Sequence, residues 1–147
     1  MDNVVSVNEL QERVATGIAG MDELIEGGFP KGSLILLAGS PGSGKTIASA
    51  QYLYHGAMRL NEKGIYVSFA ERRETFMKNM QRFGFDFQTL EDKGDFRFLD
   101  MMTSEEDAIA SVLDMIMSEV SAMKAKRLVV DSFSALAQAF KRRIDAR

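Results

Sequence analysis

The apolar positions change their spacing several times along the chain, and each change marks an element. Residues 33–38 (SLILLA) form a nearly continuous apolar run, which predicts a strand covered on both faces. The run stops at a Gly-rich loop. Beyond it, residues 45–60 (KTIASAQYLYHGAMRL) have the composition of a helix, closed by Asn61-Glu62-Lys63-Gly64. Residues 65–70 (IYVSFA) are β-branched and aromatic and predict a second strand. Between 75 and 83, Phe76, Met80 and Phe83 fall at helical spacing, with Gly84 as the stop. Phe96-Arg97-Phe98-Leu99 reads as a short strand, and Thr103 and Glu106 have the spacing of a capping box, in which hydroxyl and carboxylate satisfy the first backbone donors of a helix. The helix that follows repeats Ile109, Val112, Leu113, Ile116, Val120 and Met123 on one face. Leu128-Val129-Val130 is a last apolar strand ending in Asp131, and 133–141 opens another helix. Upstream, 20–26 reads as a short helix stopped by Gly27-Gly28, and 29–32 as a turn.

Strands alternating with helices predict an α/β fold, helices layered on a mainly parallel sheet. Ligands of such sheets bind at the carboxyl ends of the strands. Those ends hold the Gly-rich loop after Ala38, Glu71 after Ala70, and Asp131 after Val130, so three candidate site elements fall on one edge.

Composition narrows the chemistry. The 147 residues, 46% hydrophobic and 27% charged with two prolines, suit one folded domain and exclude disorder as the main state. A net charge of −3 gives no overall field toward nucleic acid or anionic lipid. With no cysteine and one histidine, His55, thiolate and His-rich metal sites and cysteine nucleophiles are excluded. The sequence has no internal repeat, signal-peptide pattern or membrane-length apolar run, and the expectation is a cytoplasmic protein without a membrane partner.

The segment Gly39-Ser40-Pro41-Gly42-Ser43-Gly44-Lys45-Thr46 matches the phosphate-binding loop G-x-x-x-x-G-K-[ST] at every fixed position. Its glycines let backbone N–H groups converge on phosphate oxygens, and the helix starting at Lys45 aims its positive end at the same anion. Lys45 would reach the β/γ-phosphates, and Thr46 would offer its hydroxyl to Mg²⁺. Asp131 fits the acid that holds Mg²⁺ through water opposite Thr46. Glu71 is placed where a carboxylate could deprotonate the attacking water. Its competing reading is a solvated loop acid paired with Arg72 or Arg73.

Five blocks then carry a family resemblance: Thr16-Gly17-Ile18 with Gly20-Met21-Asp22-Glu23-Leu24; Gly27 to Gly32; GSPGSGKT; Ile65 to Glu71; and Val129-Val130-Asp131-Ser132. In order and spacing the sequence resembles the KaiC branch of the RecA-like ATPases. The resemblance implies a RecA-like P-loop NTPase fold of three α/β/α layers, ATP and Mg²⁺ as ligands, and a homo-oligomeric, hexameric ring in which neighbours supply basic residues to the phosphates. It implies that Glu71 is the general base, since Glu71 matches the second acid of the family's usual Glu-Glu pair; Ala70 stands in place of the first. It also implies that the strands flanking 33–38 follow the Asp131 strand. The chain is therefore expected to be a single domain, with 1–15 as a peripheral segment, truncated after the Asp131 strand.

The leading reading is Mg²⁺-dependent ATP hydrolysis by water attack. The alternative, supported by Ala70, is a nucleotide-dependent regulatory or assembly module with little turnover. A small-molecule kinase would need an Arg-rich lid, which the sequence lacks before Arg147. A DNA-linked role would need loops that the family places later. Lys141-Arg142-Arg143 reads as a solvated helix end, His55 as a surface or half-buried residue, and Met21, Met80, Met115 and Met123 as gap fillers of a core or interface.

Overall fold

The centre of the fold is β3 (Gly64–Ser68), which pairs in parallel with β4 (Phe96–Asp100) on one side and β5 (Arg127–Asp131) on the other. The computed structural model describes residues 12–101, 109–132, 134 and 137. The order β4-β3-β5 and its register set Ser68 opposite both Asp100 and Asp131, so the carboxyl ends of all three strands form one level edge.

All five residues of β3 are buried, and their alternation sorts the helices into two layers. Ile65 and Val67 face α5 (Ile109–Met123) and pack with Val112, Ile116 and Met101. Tyr66 faces the other way, into an aromatic core with Phe76 of α3 (Arg73–Gln81), Phe87 of α4 (Phe87–Asp92), and Phe96 and Phe98 of β4. Its ring lies 4.5 Å from that of Phe76 and stacks on Phe98 at 5.6 Å. Ala50 and Leu53 of α2 (Lys45–Leu60) close this layer. No helix among the described residues is long and apolar enough to cross a membrane.

Several elements differ from the sequence expectation. Residues 33–38 form no ladder: Leu34 is 98% and Leu36 75% exposed. A strand exists only against a neighbour, and among the described residues none lies beside this run; β5 pairs only with β3. Phe29-Pro30, expected within a turn, forms β2 and pairs antiparallel with β1 (Arg13–Val14), a two-stranded ribbon whose edge tolerates a residue without an N–H. The short helix after Gly20 is α1 (Met21–Leu24). Residues 87–92 were given no element by the sequence pattern and form α4, whose N-cap Asp86 accepts from the backbone N–H (3.1 Å) and hydroxyl (2.7 Å) of Thr89. The capping box at Thr103 and Glu106 lies outside the described residues, as do most of the helix expected over 133–141 and the basic run at Lys141.

Candidate functional site

The Gly-rich loop leads directly into α2. Gly42 and Gly44 take positive φ, +79° and +87°, and Gly44 is the residue from which the helix departs, a left-handed geometry that side-chain-bearing residues avoid. The first turn of α2 contains no acid of its own, so no side chain of the helix itself offsets the positive end of its dipole. Lys45 folds its ammonium back over the loop and donates to the carbonyl oxygens of Gly39 and Ser40, each at 2.8 Å. Lysine, backbone and helix end thus converge on one concave turn.

Thr46, one residue into the helix, donates its hydroxyl to Asp131 Oδ2 at 2.8 Å, across 85 positions of sequence. The contact exists because β5 delivers Asp131 to the level of Ser68. It joins two oxygen donors of the hard type that Mg²⁺ selects, so the residues present fit that ion beside the Gly-rich loop. The peptide bond following Asp131 is cis.

Tyr66 also donates to Asp131 Oδ2, at 2.6 Å, from the aromatic core beneath. Burial pushes its phenol far above the ordinary tyrosine range, and the neighbouring Asp131 carboxylate pushes in the same direction. The hydroxyl is therefore a permanent donor at any physiological pH. The sequence places Tyr66 only within a β-branched, aromatic strand, and one strand position gives no sign of what its hydroxyl reaches.

Glu71 follows the end of β3. Its backbone N–H donates to Ser68 Oγ at 2.9 Å, while Phe69 N–H donates to the Asp131 carbonyl at 2.7 Å, which ties the turn to both strands. Neither arginine neighbour pairs with the carboxylate among the described contacts: Arg73 is engaged by Glu91 and Gln88. Instead Asn79 of α3 donates its amide to Glu71 Oε1 at 2.8 Å. Glu71, Asn79 and Arg82 line an open cavity of about 320 Å³ together with Thr46. Lys45, Thr46, Asp131 and Glu71 are thus gathered at one edge, as expected; Tyr66, Ser68 and Asn79 are additions from the structure.

The block Thr16 to Asp22 buttresses α2 from the side. Thr16 is buried, and its N–H and hydroxyl donate to Asp22 Oδ1 at 2.8 and 2.7 Å, while Gly17 N–H reaches Oδ2 at 3.2 Å. Gln51 of α2 donates to the Gly17 carbonyl at 2.8 Å. Burial works to raise the pKa of Asp22, but the hydrogen bonds from Thr16 and Gly17 outweigh it and hold the carboxyl below its usual range. His55 is half-buried, its ring so close to Gly17 that a Cβ there would lie 2.0 Å from the imidazole.

A Gly-rich loop of the G-x-x-x-x-G-K-[ST] pattern opening a helix, an acid delivered opposite its Thr by a parallel strand, and helices on both faces of the sheet define a RecA-like α/β fold. The comparisons narrow this to a family. The family model described as ATPase, KaiC, matches residues 14–147, and the chain belongs to that family. The UPF0273 protein PH0284 of Pyrococcus horikoshii is 36% identical over 141 residues, which is 86% of this chain and 57% of the relative. The circadian clock oscillator protein KaiC of Parathermosynechococcus lividus is 33% identical over 132 residues, 85% of this chain and 24% of the relative. The crystal structure of the KaiC-like protein PH0186 from Pyrococcus horikoshii superposes with a TM-score of 0.81 at 40% identity, covering 88% of this chain and 57% of that one. The chain therefore spans little more than half the length of the UPF0273 relative and of the KaiC-like structure.

Proposed function

We propose that the protein binds ATP with Mg²⁺ at the 39–46 loop and hydrolyses it by direct attack of water on the γ-phosphorus. The observation that carries the reading is the meeting of Thr46 and Asp131 at 2.8 Å, with Glu71 on the same cavity as Thr46. The loop N–H groups and Lys45 bind the phosphates and counter their charge. Thr46, and Asp131 through water, would hold Mg²⁺, which when bound supplies further neutralisation of the phosphate oxygens. Glu71 takes a proton from the attacking water. The new oxygen–phosphorus bond forms as the bond to the bridging oxygen breaks, leaving ADP and inorganic phosphate.

The 147 residues are on this reading the first part of a longer domain that assembles as a homo-oligomeric ring, residues 1–15 forming a peripheral segment. Support for the length comes from the 57% of the UPF0273 relative that the chain covers. A nucleotide-gated module with slow turnover is the second reading, favoured by Ala70 where the family's first acid would stand. Glu71→Gln in the full-length protein separates the two. The amide keeps the size of the side chain but cannot accept a proton, so phosphate release should fall about 10²- to 10⁴-fold while ATP affinity is retained. Release within twofold of the parent would move the base elsewhere, and a parent with no measurable release would favour the second reading.

A further inference from the structure

Glu71 can act as a base only if its carboxylate is held toward the phosphate side of the cavity, and the turn that bears it positions its backbone alone. Residues 69–71 lie between the end of β3 and the start of α3, and their backbone is tied to Ser68 and Asp131. These bonds fix where the Glu71 backbone sits and leave its side-chain torsions free. The one described contact that fixes the carboxylate comes from α3, where Asn79 Nδ2 donates to Oε1 at 2.8 Å.

The amide orientation follows from chemistry, because an ionised carboxylate only accepts and the amide nitrogen is the donor of the Asn side chain. Asn79 is itself well anchored. Phe76 and Met80, three positions before and one after, are buried in the aromatic core, 0% and 2% exposed, so α3 cannot roll without breaking that packing. No described residue donates to the second carboxylate oxygen, Oε2. One oxygen is thus clamped and the other is left to accept a proton. The same cavity is lined by Thr46, the residue placed beside the metal, so Glu71, Asn79 and Thr46 open onto one space.

We infer that Asn79 is a positioning residue for hydrolysis, which uses its amide to hold the Glu71 carboxylate toward the attacking water. The inference rests on Glu71 being the base. Its effect should appear in turnover rather than in nucleotide binding, since Asn79 makes no contact with the 39–46 loop among the described hydrogen bonds. Misplacing a reacting group by about 1 Å can cost on the order of 10²-fold.

The test uses the full-length protein with Asn79→Ala, Asn79→Leu, Glu71→Gln and the double variant Asn79→Ala/Glu71→Gln. Leu preserves the bulk of Asn without its amide, and Ala and Leu both favour helix more than Asn does, so α3 should hold. Steady-state phosphate release should show kcat lowered about 10- to 100-fold in both single Asn79 variants, with KM and ATP affinity within about twofold. The double variant should hydrolyse no more slowly than Glu71→Gln alone, because the amide then has no base left to position. A role confined to folding would lower the thermal midpoint and add to the Glu71→Gln loss. The inference is overturned by kcat within twofold of the parent in both Asn79 variants, by a rise in kcat, which would make the contact a restraint, by additive losses in the double variant, or by failure of both single variants to fold. Full activity in Glu71→Gln removes the underlying reading as well, whereas a slow Glu71→Gln beside normal Asn79→Ala and Asn79→Leu removes this inference alone.

Discussion

Lys45 donates both short contacts of its ammonium to carbonyl oxygens of the loop it guards, which places the charge at the centre of the turn where phosphate oxygens would collect. Lys45→Ala leaves the backbone donors of the loop in place and removes the loop's cation. ATP affinity measured by calorimetry should fall at least about tenfold, equivalent to roughly 1.4 kcal/mol; an unchanged affinity would remove the loop assignment. Asp22 offers a second test, on stability. Its carboxylate accepts three hydrogen bonds, two from Thr16 and one from Gly17, and Asp22→Asn sets an amide donor against an N–H. The cost should be about 1–3 kcal/mol near neutral pH. Because the folded carboxyl titrates below its unfolded value of about 3.9, this contribution is complete above that pH and is lost as pH falls through the lower folded value. In the full-length protein the urea midpoints of parent and Asp22→Asn should therefore converge below about pH 4; a gap that stays constant down to pH 3 would mean the hydrogen bonds do not favour the ionised form. The residues of the site were legible in proportion to how local their signal is. The loop is eight consecutive residues with a fixed pattern, and Glu71 and Asp131 each terminate an apolar run. Tyr66 and Asn79 act on partners 65 and 8 positions away, and nothing in an aromatic at a buried strand position or an Asn on a helix flank states which atom it will meet.

At the scale of elements, spacing identified those elements that bury a continuous face. The pattern found α2, α3, α5 and the three strands of the parallel sheet to within a few residues, and overlooked α4, a single turn and a half whose evidence was the Asp86–Thr89 cap. It also gave no hint of how α2 is locked to β5. Arg127, at the start of β5, has a fully buried side chain that donates through Nε to Glu62 at 2.6 Å and through Nη1 to the Tyr52 carbonyl at 2.8 Å, with its guanidinium 4.4 Å from the Tyr52 ring centroid. The space for it is the missing side chain of Gly56, where a Cβ would lie 2.4 Å from Nε. Two effects oppose each other in Gly56→Ala. Helix propensity favours the change by about 1 kcal/mol, and overpacking opposes it by about 1–3 kcal/mol. The guanidinium is held by two hydrogen bonds and a ring, so it has little room to withdraw, and overpacking should win. A lower urea midpoint for Gly56→Ala in the full-length protein is the expected result. A higher one would show that Arg127 can leave its slot, and the charged residue would then be no clamp.

For the molecule as a whole, the sheet is the deciding object. The expectation that 33–38 would be a strand failed in the described structure for a reason contained in the sequence order itself: by the family resemblance both of its neighbours come after the strand ending in Asp131, and the described sheet holds β4, β3 and β5 with nothing on the free side of β5. The consequence is visible in the side chains, since Leu34, Ile35, Leu36 and Leu37 are all exposed and Leu128 of β5 is 43% exposed beside that open edge. Four consecutive apolar residues in water, together with a strand whose outer edge is unpaired in the described sheet, favour association over a soluble monomer. The 147-residue chain taken by itself should therefore lack a cooperative fold, even though the aromatic core around Phe76 and the helix α5 retain secondary structure that circular dichroism would register. The measurement is the sharpness of unfolding together with the size distribution. Sedimentation should show oligomers or a broad distribution, and urea should give a shallow loss of ellipticity with no single midpoint. A chain extended to the length of its UPF0273 relatives should instead unfold in a steep transition and keep Leu34 to Leu37 from binding a hydrophobic dye. A monodisperse 147-residue chain with one steep transition would mean that the three-stranded sheet is self-sufficient, and the proposal that 33–38 awaits strands from later sequence would fall.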